Sequence, residues 1–439
     1  MDRQTIFEKI GERVSEAPGP ETPRPNFVRG AGAFVFRGTI EFRRLMLEQF
    51  DRGDRERLDS DLADAGKARE PVFRMIAQFE SEALGMDGSL RREYRPKLKE
   101  LKEMIRNLLG PFPGESQPAL MREQYGQTRW DRAQVKLDEI LYEERWDYSD
   151  PRAMGKKFRV PRREEFSGTS LEPLFPYLEK KAKRMLQPRL TFYWRFLLDE
   201  SKDAHFFGGI WPEVLGTLYL TIGAMIFAVP LGIMAAIYLA EFAGPSKTIS
   251  MLRTFVSTLA GVPSIVFGLF GLAFFINTLH LSSSKSVLAG AATLSLLILP
   301  TIIRASEEAI KAVPETYKEA GLSLGATHWR TVLTVILPAA LPGILTGIVI
   351  SMGRAAGETA PIIFTAAVSV GRPLKLWETL SQPTPALPWN IYNLATEHEA
   401  VNEIRHVQFG MVLTLVALVL ALNLTAILLR ARISKKMRG

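Results

Sequence analysis

Charged positions crowd the first half of the chain and nearly vanish from the second: about a third of residues 1–210 are charged, against about an eighth of residues 211–439. Residues 214–240 carry no charge at all and are bounded by Glu213 and Glu241. As an α-helix they exceed the roughly 20 residues needed to cross a bilayer. Stretches 255–279, 286–303 and 407–429 meet the same criterion. A fifth, 331–353, is equally free of charge but holds Pro338, Pro342 and Gly343. Its first turns are therefore expected to bend outside the membrane-embedded helix. The segment 359–370 is too short to cross alone and reads as the continuation or re-entrant end of that fifth helix.

The polar half has its own, weaker pattern. Residues 90–109 and 131–144 show helical apolar spacing, the first closed by Gly110. GPFPGESQP from Gly110 reads as a linker, and 145–190, rich in Pro, Arg and Lys, shows no sustained periodicity. The basic run from Arg91 to Lys99 is a solvated helix face before it is an anion site. The organisation predicted is a hydrophilic, partly helical domain over 1–205 and an all-α membrane bundle over 210–434.

Composition removes several classes of function. The chain has no cysteine, which excludes disulfides and thiolate metal sites, and no histidine cluster or Ser-His-Asp set suggests a metal or a hydrolytic centre. The net charge of +8 comes with no nucleic-acid-binding signature. Orientation follows from Lys and Arg in the short loops. Lys247 and Arg253, then Arg304, Lys311, Lys318 and Arg330, then the tail from Arg430 to Arg438 mark one side as cytoplasmic. The C-terminus is expected there, and by parity residues 1–205 lie outside. The first thirty residues contain no signal-peptide stretch to export them.

The cytoplasmic loop 304–338 contains EAGLSLGATHWRTVLTVILP from Glu319 to Pro338. It resembles the EAA loop of ABC importer permeases: Glu, two Ala, three residues, Gly, nine residues, Ile, one residue, Leu-Pro. Glu319, Ala320, Gly325, Leu337 and Pro338 match, while Gly321 stands for the second Ala and Val335 for Ile. In physical terms, Ala320 and Gly321 would let a short helix lie closely in a partner's groove. Gly325 would permit a left-handed turn, and Pro338 would set a break before the membrane. The resemblance implies that this loop docks a cytoplasmic ATPase. The chain itself has no glycine-rich phosphate loop ending in Gly-Lys-Ser/Thr, so ATP and Mg²⁺ are expected on that partner, with no cofactor, metal or catalytic residue here.

Arg354 and Glu358 stand four apart in SMGRAAGETAPIIFTA, on one face of a helix. Charges at membrane depth are costly unless paired or facing water, and by default they mark a pathway. A scaffolding ion pair is the competing reading. Arg304, directly after PTII, is the second candidate, either substrate contact or anchor at a helix end. Guanidinium forks suit tetrahedral oxyanions.

Three segments, AGVPSIVFGLFGLAF from Ala260, RASEEAIKAVPETYKEAGLSLGAT from Arg304 and GRAAGETAPIIFTA from Gly353, resemble phosphate permeases of the PstA type. That family implies a MetI-like bundle in the inner membrane, with a PstC-like permease, a PstB-like ATPase dimer, a PstS-like phosphate-binding protein and membrane lipid as partners. Its core usually has six helices, and here five spans are visible. Either the missing first helix lies upstream of Met1, with residues 1–205 inserted between the first two, which is the preferred reading, or residues 1–205 stay cytoplasmic in an unusual topology. A sulfate or molybdate importer, or a regulatory protein with an inactive permease half, are the alternatives.

Overall fold

The computed structural model describes residues 26–85, 88–115, 125–147, 156–398 and 400–438. The described residues up to Trp194 form one compact unit and those from Arg195 a second, so residues 195–210 go with the membrane helices.

The first unit runs α1 (Asn26–Ala31), β1 (Val35–Gly38), α2 (Ile40–Phe50), α3 (Arg55–Gly85), α4 (Gly88–Leu109), α5 (Trp130–Leu141), β2 (Tyr142–Asp147), β3 (Lys156–Pro161), α6 (Leu174–Leu186) and β4 (Arg189–Phe192). Strand β1 pairs antiparallel with β4, and β2 with β3. The larger core cluster draws Val72, Ile76 and Phe79 from α3, Leu101, Ile105 and Leu108 from α4, and Leu174, Leu178 and Met185 from α6. These positions recur at three- and four-residue spacing, the signature of helices buried along one face. The helix expected over 90–109 is α4, closed by Gly110 at φ +93°. The one expected over 131–144 stops at Leu141, because Tyr142 to Asp147 leave the helix and pair with β3. The stretch 145–190 conceals α6, which buries six residues.

A buried carboxylate ties this unit together. Glu41 of α2 is 1% exposed and accepts a bond from Arg69 Nη1 at 3.0 Å, with Arg44 Nη1 at 3.4 Å. Arg69 also donates to the carbonyls of Leu109 and Met185, joining α2, α3, α4 and α6. Burial pushes the Glu41 carboxyl above its ordinary value, against the opposing pull of Arg69 and Arg44.

The second unit opens with a short hairpin, β5 (Ser201–Lys202) and β6 (Phe207–Gly208). Then follow α7 (Trp211–Ile237), α8 (Lys247–Leu259), α9 (Ser264–Gly271), α10 (Val287–Lys311), α11 (Glu315–Ser323), α12 (His328–Thr331), α13 (Leu337–Gly357), α14 (Ala360–Thr365), α15 (Leu387–Thr396) and α16 (Val401–Arg438). Four helical runs are long and apolar enough to cross a membrane: Trp211–Phe242, Val287–Lys311, His328–Gly357 and Val401–Arg432. The span expected over 255–279 is instead a pair of helices, Lys247–Leu259 and Ser264–Thr278, bent by 99°. Pro263 causes the bend, since it holds φ near −60° and pushes the preceding residue away from helical geometry.

Helix α10 is the hub, with most of its surface inside the bundle. Small residues bring its neighbours close. A Cβ added to Gly343 would meet Ala309 Cβ at 2.6 Å, and one added to Gly347 would meet Ala305 Cβ at 2.4 Å. Lipid offers no hydrophobic drive for helix association, so close backbone approach is what packing can gain there.

The bend expected at Pro338 does not occur. His328 to Gly357 run as one helix, which accommodates the proline through a widened turn at Val332–Ile336. There the N–H of Leu337 bonds the carbonyl of Val332, five residues back. The wider turn makes room for a ring that would clash with the carbonyl four residues before it.

Candidate functional site

Two places gather the residues singled out by sequence. The first is the connection between α10 and α13. Helix α11 presents Tyr317, Glu319, Ala320 and Leu322 on its exposed surface, and Leu324, which caps its end, is 88% exposed. Gly325 then turns the chain at φ +79°, with nothing within 4 Å of where a Cβ would be, so its role is conformational. Thr327 caps α12 by accepting the N–H of Arg330. Gly321 is placed differently from expectation. It is buried against its own chain, where a Cβ would lie 2.7 Å from Cγ2 and 3.1 Å from Oγ1 of Thr331. The close fit it serves is between α11 and α12. Leu337 packs half-buried against a cluster that includes Ile237, Ile310 and Ile344.

Sequence reasoning missed what holds this connection in place. The Glu241 side chain, 9% exposed, lies 2.7 Å from Lys318 Nζ on α11 and 3.3 Å from His328 Nε2 on α12. The Phe242 ring lies 4.8 Å from that of His328 and 5.9 Å from that of Trp329. Nearby, Glu307 of α10 accepts from Arg253 Nε at 3.0 Å and Lys311 Nζ at 2.5 Å, and Arg253 Nη2 donates to the Leu239 carbonyl. Glu241 and Arg253 entered the sequence reading only as a span boundary and a loop charge.

The second place is the end of α13. Arg354 Nε donates to Glu358 Oε1 at 3.3 Å, four residues on. Helix α13 stops at Gly357, where Glu358 turns extended with ψ 132°, and the chain resumes as α14. The two side chains are 38% and 18% exposed. Only Nε of the guanidinium is engaged among the described residues, so both Nη groups keep their donors available.

Arg304 is not at a helix end. Helix α10 continues to Lys311, because charges that end an apolar count do not end a helix. Arg304 is thus some 10 Å inside it, exposed and without an ion pair among the described residues. The contacts of Gly343 with Ala309 and Gly347 with Ala305 make it level with Ile348, about 9 Å along α13 from Arg354. The structure therefore joins Arg354 to Glu358 and leaves Arg304 apart from both.

Residues 228–439 match the family described as "Binding-protein-dependent transport system inner membrane component". The chain is 33% identical over 252 residues to "Probable ABC transporter permease protein YqgI" of Bacillus subtilis, covering 55% of this chain and 85% of that one. It is 36% identical over 247 residues to "Phosphate transport system permease protein PstA 1" of Mycobacterium tuberculosis, covering 56% and 77%. Among solved structures it is similar to the inward-facing MetNI methionine ABC transporter, at 19% identity and a TM-score of 0.40, covering 51% of this chain and 94% of that one. With a third of positions identical across more than four fifths of the Bacillus relative, the chain belongs to the inner-membrane permease components of binding-protein-dependent ABC transporters, and PstA-type phosphate permeases are among its relatives.

Proposed function

We propose that this permease forms half of the translocation path of an ATP-driven inorganic phosphate importer. The observation that carries the reading is Arg354: Glu358 engages one guanidinium nitrogen, and the remaining forked donors are free in a helix apolar enough to cross the membrane. That geometry receives the paired oxygens of a tetrahedral anion, and a guanidinium stays charged at any physiological pH. The relatives named as phosphate permeases make phosphate the anion of choice. Arg304 supplies a second positive group along the same path.

In this reading the surface of Glu319 and Ala320 docks a PstB-like ATPase, which hydrolyses ATP with Mg²⁺. A PstC-like subunit completes the path, and a PstS-like protein delivers phosphate from outside. The loop over 304–338 and the C-terminus are cytoplasmic, and residues 1–205 lie on the outer side.

The test is phosphate uptake by membranes holding equal permease content. Arg354→Gln should abolish uptake, and Arg354→Lys should restore charge without the fork and recover only part of it. If Arg354 merely pairs with Glu358, replacing both by neutral residues of matching size restores uptake. Full uptake in that double variant refutes the pathway role.

A further inference from the structure

The geometry points to Glu241 as a positioning residue that transmits motion of the ATPase-docking loop to the membrane helix α7. The inference rests on the docking proposed above and adds the route by which docking is felt in the bundle.

Helix α7 ends in a widened turn, Tyr238–Phe242, in which the N–H of Ala243 bonds the carbonyl of Tyr238, five residues back. Such turns recur at functional sites because they re-aim side chains without ending a helix. Here two consecutive residues of the turn grip both halves of the docking loop. Glu241 holds Lys318 on α11 and His328 on α12, while Phe242 packs against His328 and Trp329. The two short helices are fixed to one another through the Gly321–Thr331 contact. A force on the exposed face of α11 therefore reaches the end of α7 through the Glu241 carboxylate.

The same end of α7 is braced from behind. Arg253 of α8 donates to the carbonyl of Leu239 at 2.8 Å and to Glu307 of α10 at 3.0 Å. A helix terminus leaves carbonyls without intrahelical partners, and Arg253 satisfies one of them. The two carboxylates divide the work: Glu307 ties α8 to α10, and Glu241 ties the loop to α7. Removing Glu241 takes away the ionic tie between the loop and α7, leaves the Phe242 contacts, and keeps the exposed docking surface intact, since Glu241 is largely shielded and Glu319 and Ala320 are exposed. Docking and transmission are then separable.

The experiment uses the assembled transporter in proteoliposomes. Phosphate transported per ATP hydrolysed is measured for wild type, Glu241→Gln, Glu241→Lys and the exchanged pair Glu241→Lys with Lys318→Glu. Each is also made with Ala320→Cys, which introduces the sole cysteine of this chain and reports contact with the ATPase by cross-linking. Glu241→Gln should lower the transport-to-hydrolysis ratio by at least about fivefold while cross-linking and ATPase content are unchanged. Glu241→Lys should lower it as far, and the exchanged pair should recover most of it. An unchanged ratio in Glu241→Gln, or no recovery in the exchanged pair, overturns the role of Glu241. Absence of cross-linking in the otherwise wild-type protein instead overturns the docking surface.

Discussion

Gly321 can be tested with two methyl groups. It sits in the helical turn of α11, where Ala would ordinarily be better by about 1 kcal/mol. Its Cβ, however, would lie 2.7 Å from Thr331 Cγ2 and 3.1 Å from Thr331 Oγ1, so rotating Thr331 exchanges one obstruction for the other. Thr331 is fully buried and its hydroxyl is bonded to the Thr327 carbonyl. Overpacking of this kind costs about 1–3 kcal/mol, which outweighs the propensity gain. Thr331→Ser alone removes a buried methyl and costs about 1 kcal/mol, yet keeps the hydroxyl bond. In the Gly321→Ala background the same change removes the obstruction, so its sign reverses and the two sites couple by about 1–3 kcal/mol. Hydrogen exchange of peptides spanning residues 315–331 reads this directly, since each 1.4 kcal/mol is about a tenfold change in opening. Gly321→Ala should exchange faster, and adding Thr331→Ser should slow it again. Protection that is unchanged in Gly321→Ala, or a Thr331→Ser effect that is the same in both backgrounds, refutes the close contact.

Two further outcomes follow from the geometry. Arg304→Gln breaks no ion pair, so membrane content should hold while phosphate uptake falls about tenfold or more; uptake equal to wild type would make Arg304 a headgroup anchor. In the first unit, the raised Glu41 value means that its contribution to stability is complete below the ordinary carboxylate value, 4.5, and is lost as pH rises through the raised one. Thermal unfolding of the full chain between about pH 4 and about pH 8 should show that decline in this unit, and Glu41→Gln should flatten it.

The membrane half was legible because a bilayer demands long uncharged runs, and four of the five stand as continuous helices. The remaining stretch, 255–279, was legible as apolar but not in its shape. An apolar count over 255–279 does not register that the chain turns by 99° at Pro263, and it also omits Lys247 to Thr254, which belong to the same helix pair. The polar half was legible only where one apolar face was clean, as in α4. Helix α3 carries Pro71 and thirteen other apolar positions diluted by charge, and its buried face becomes visible only once Ile76 and Phe79 meet α4 and α6. Strand β2 continues directly from α5, and its pairing partner lies beyond a break in the described chain, so nothing local distinguishes Tyr142 from a further helical turn.

At the site, motif positions were legible but their reasons were not. Gly325 was correctly read as a backbone requirement, because a left-handed turn is local and independent of neighbours. The motif alone makes Gly321 a surface for a partner, while the structure packs it against Thr331, ten residues on in the same loop. Pro338 was read as a break, although the widened turn before it lets the helix pass. Glu241 lies outside any motif considered, and its importance arises only when the fold brings Lys318 and His328 to it across some eighty residues of chain. A charged residue that ends an apolar run invites the reading of a boundary marker. When that residue is 9% exposed and faces Lys318 and His328 from one loop, the proposed coupling makes the boundary itself a mechanical joint, because an ion pair partly shielded from water resists separation more than a fully solvated one.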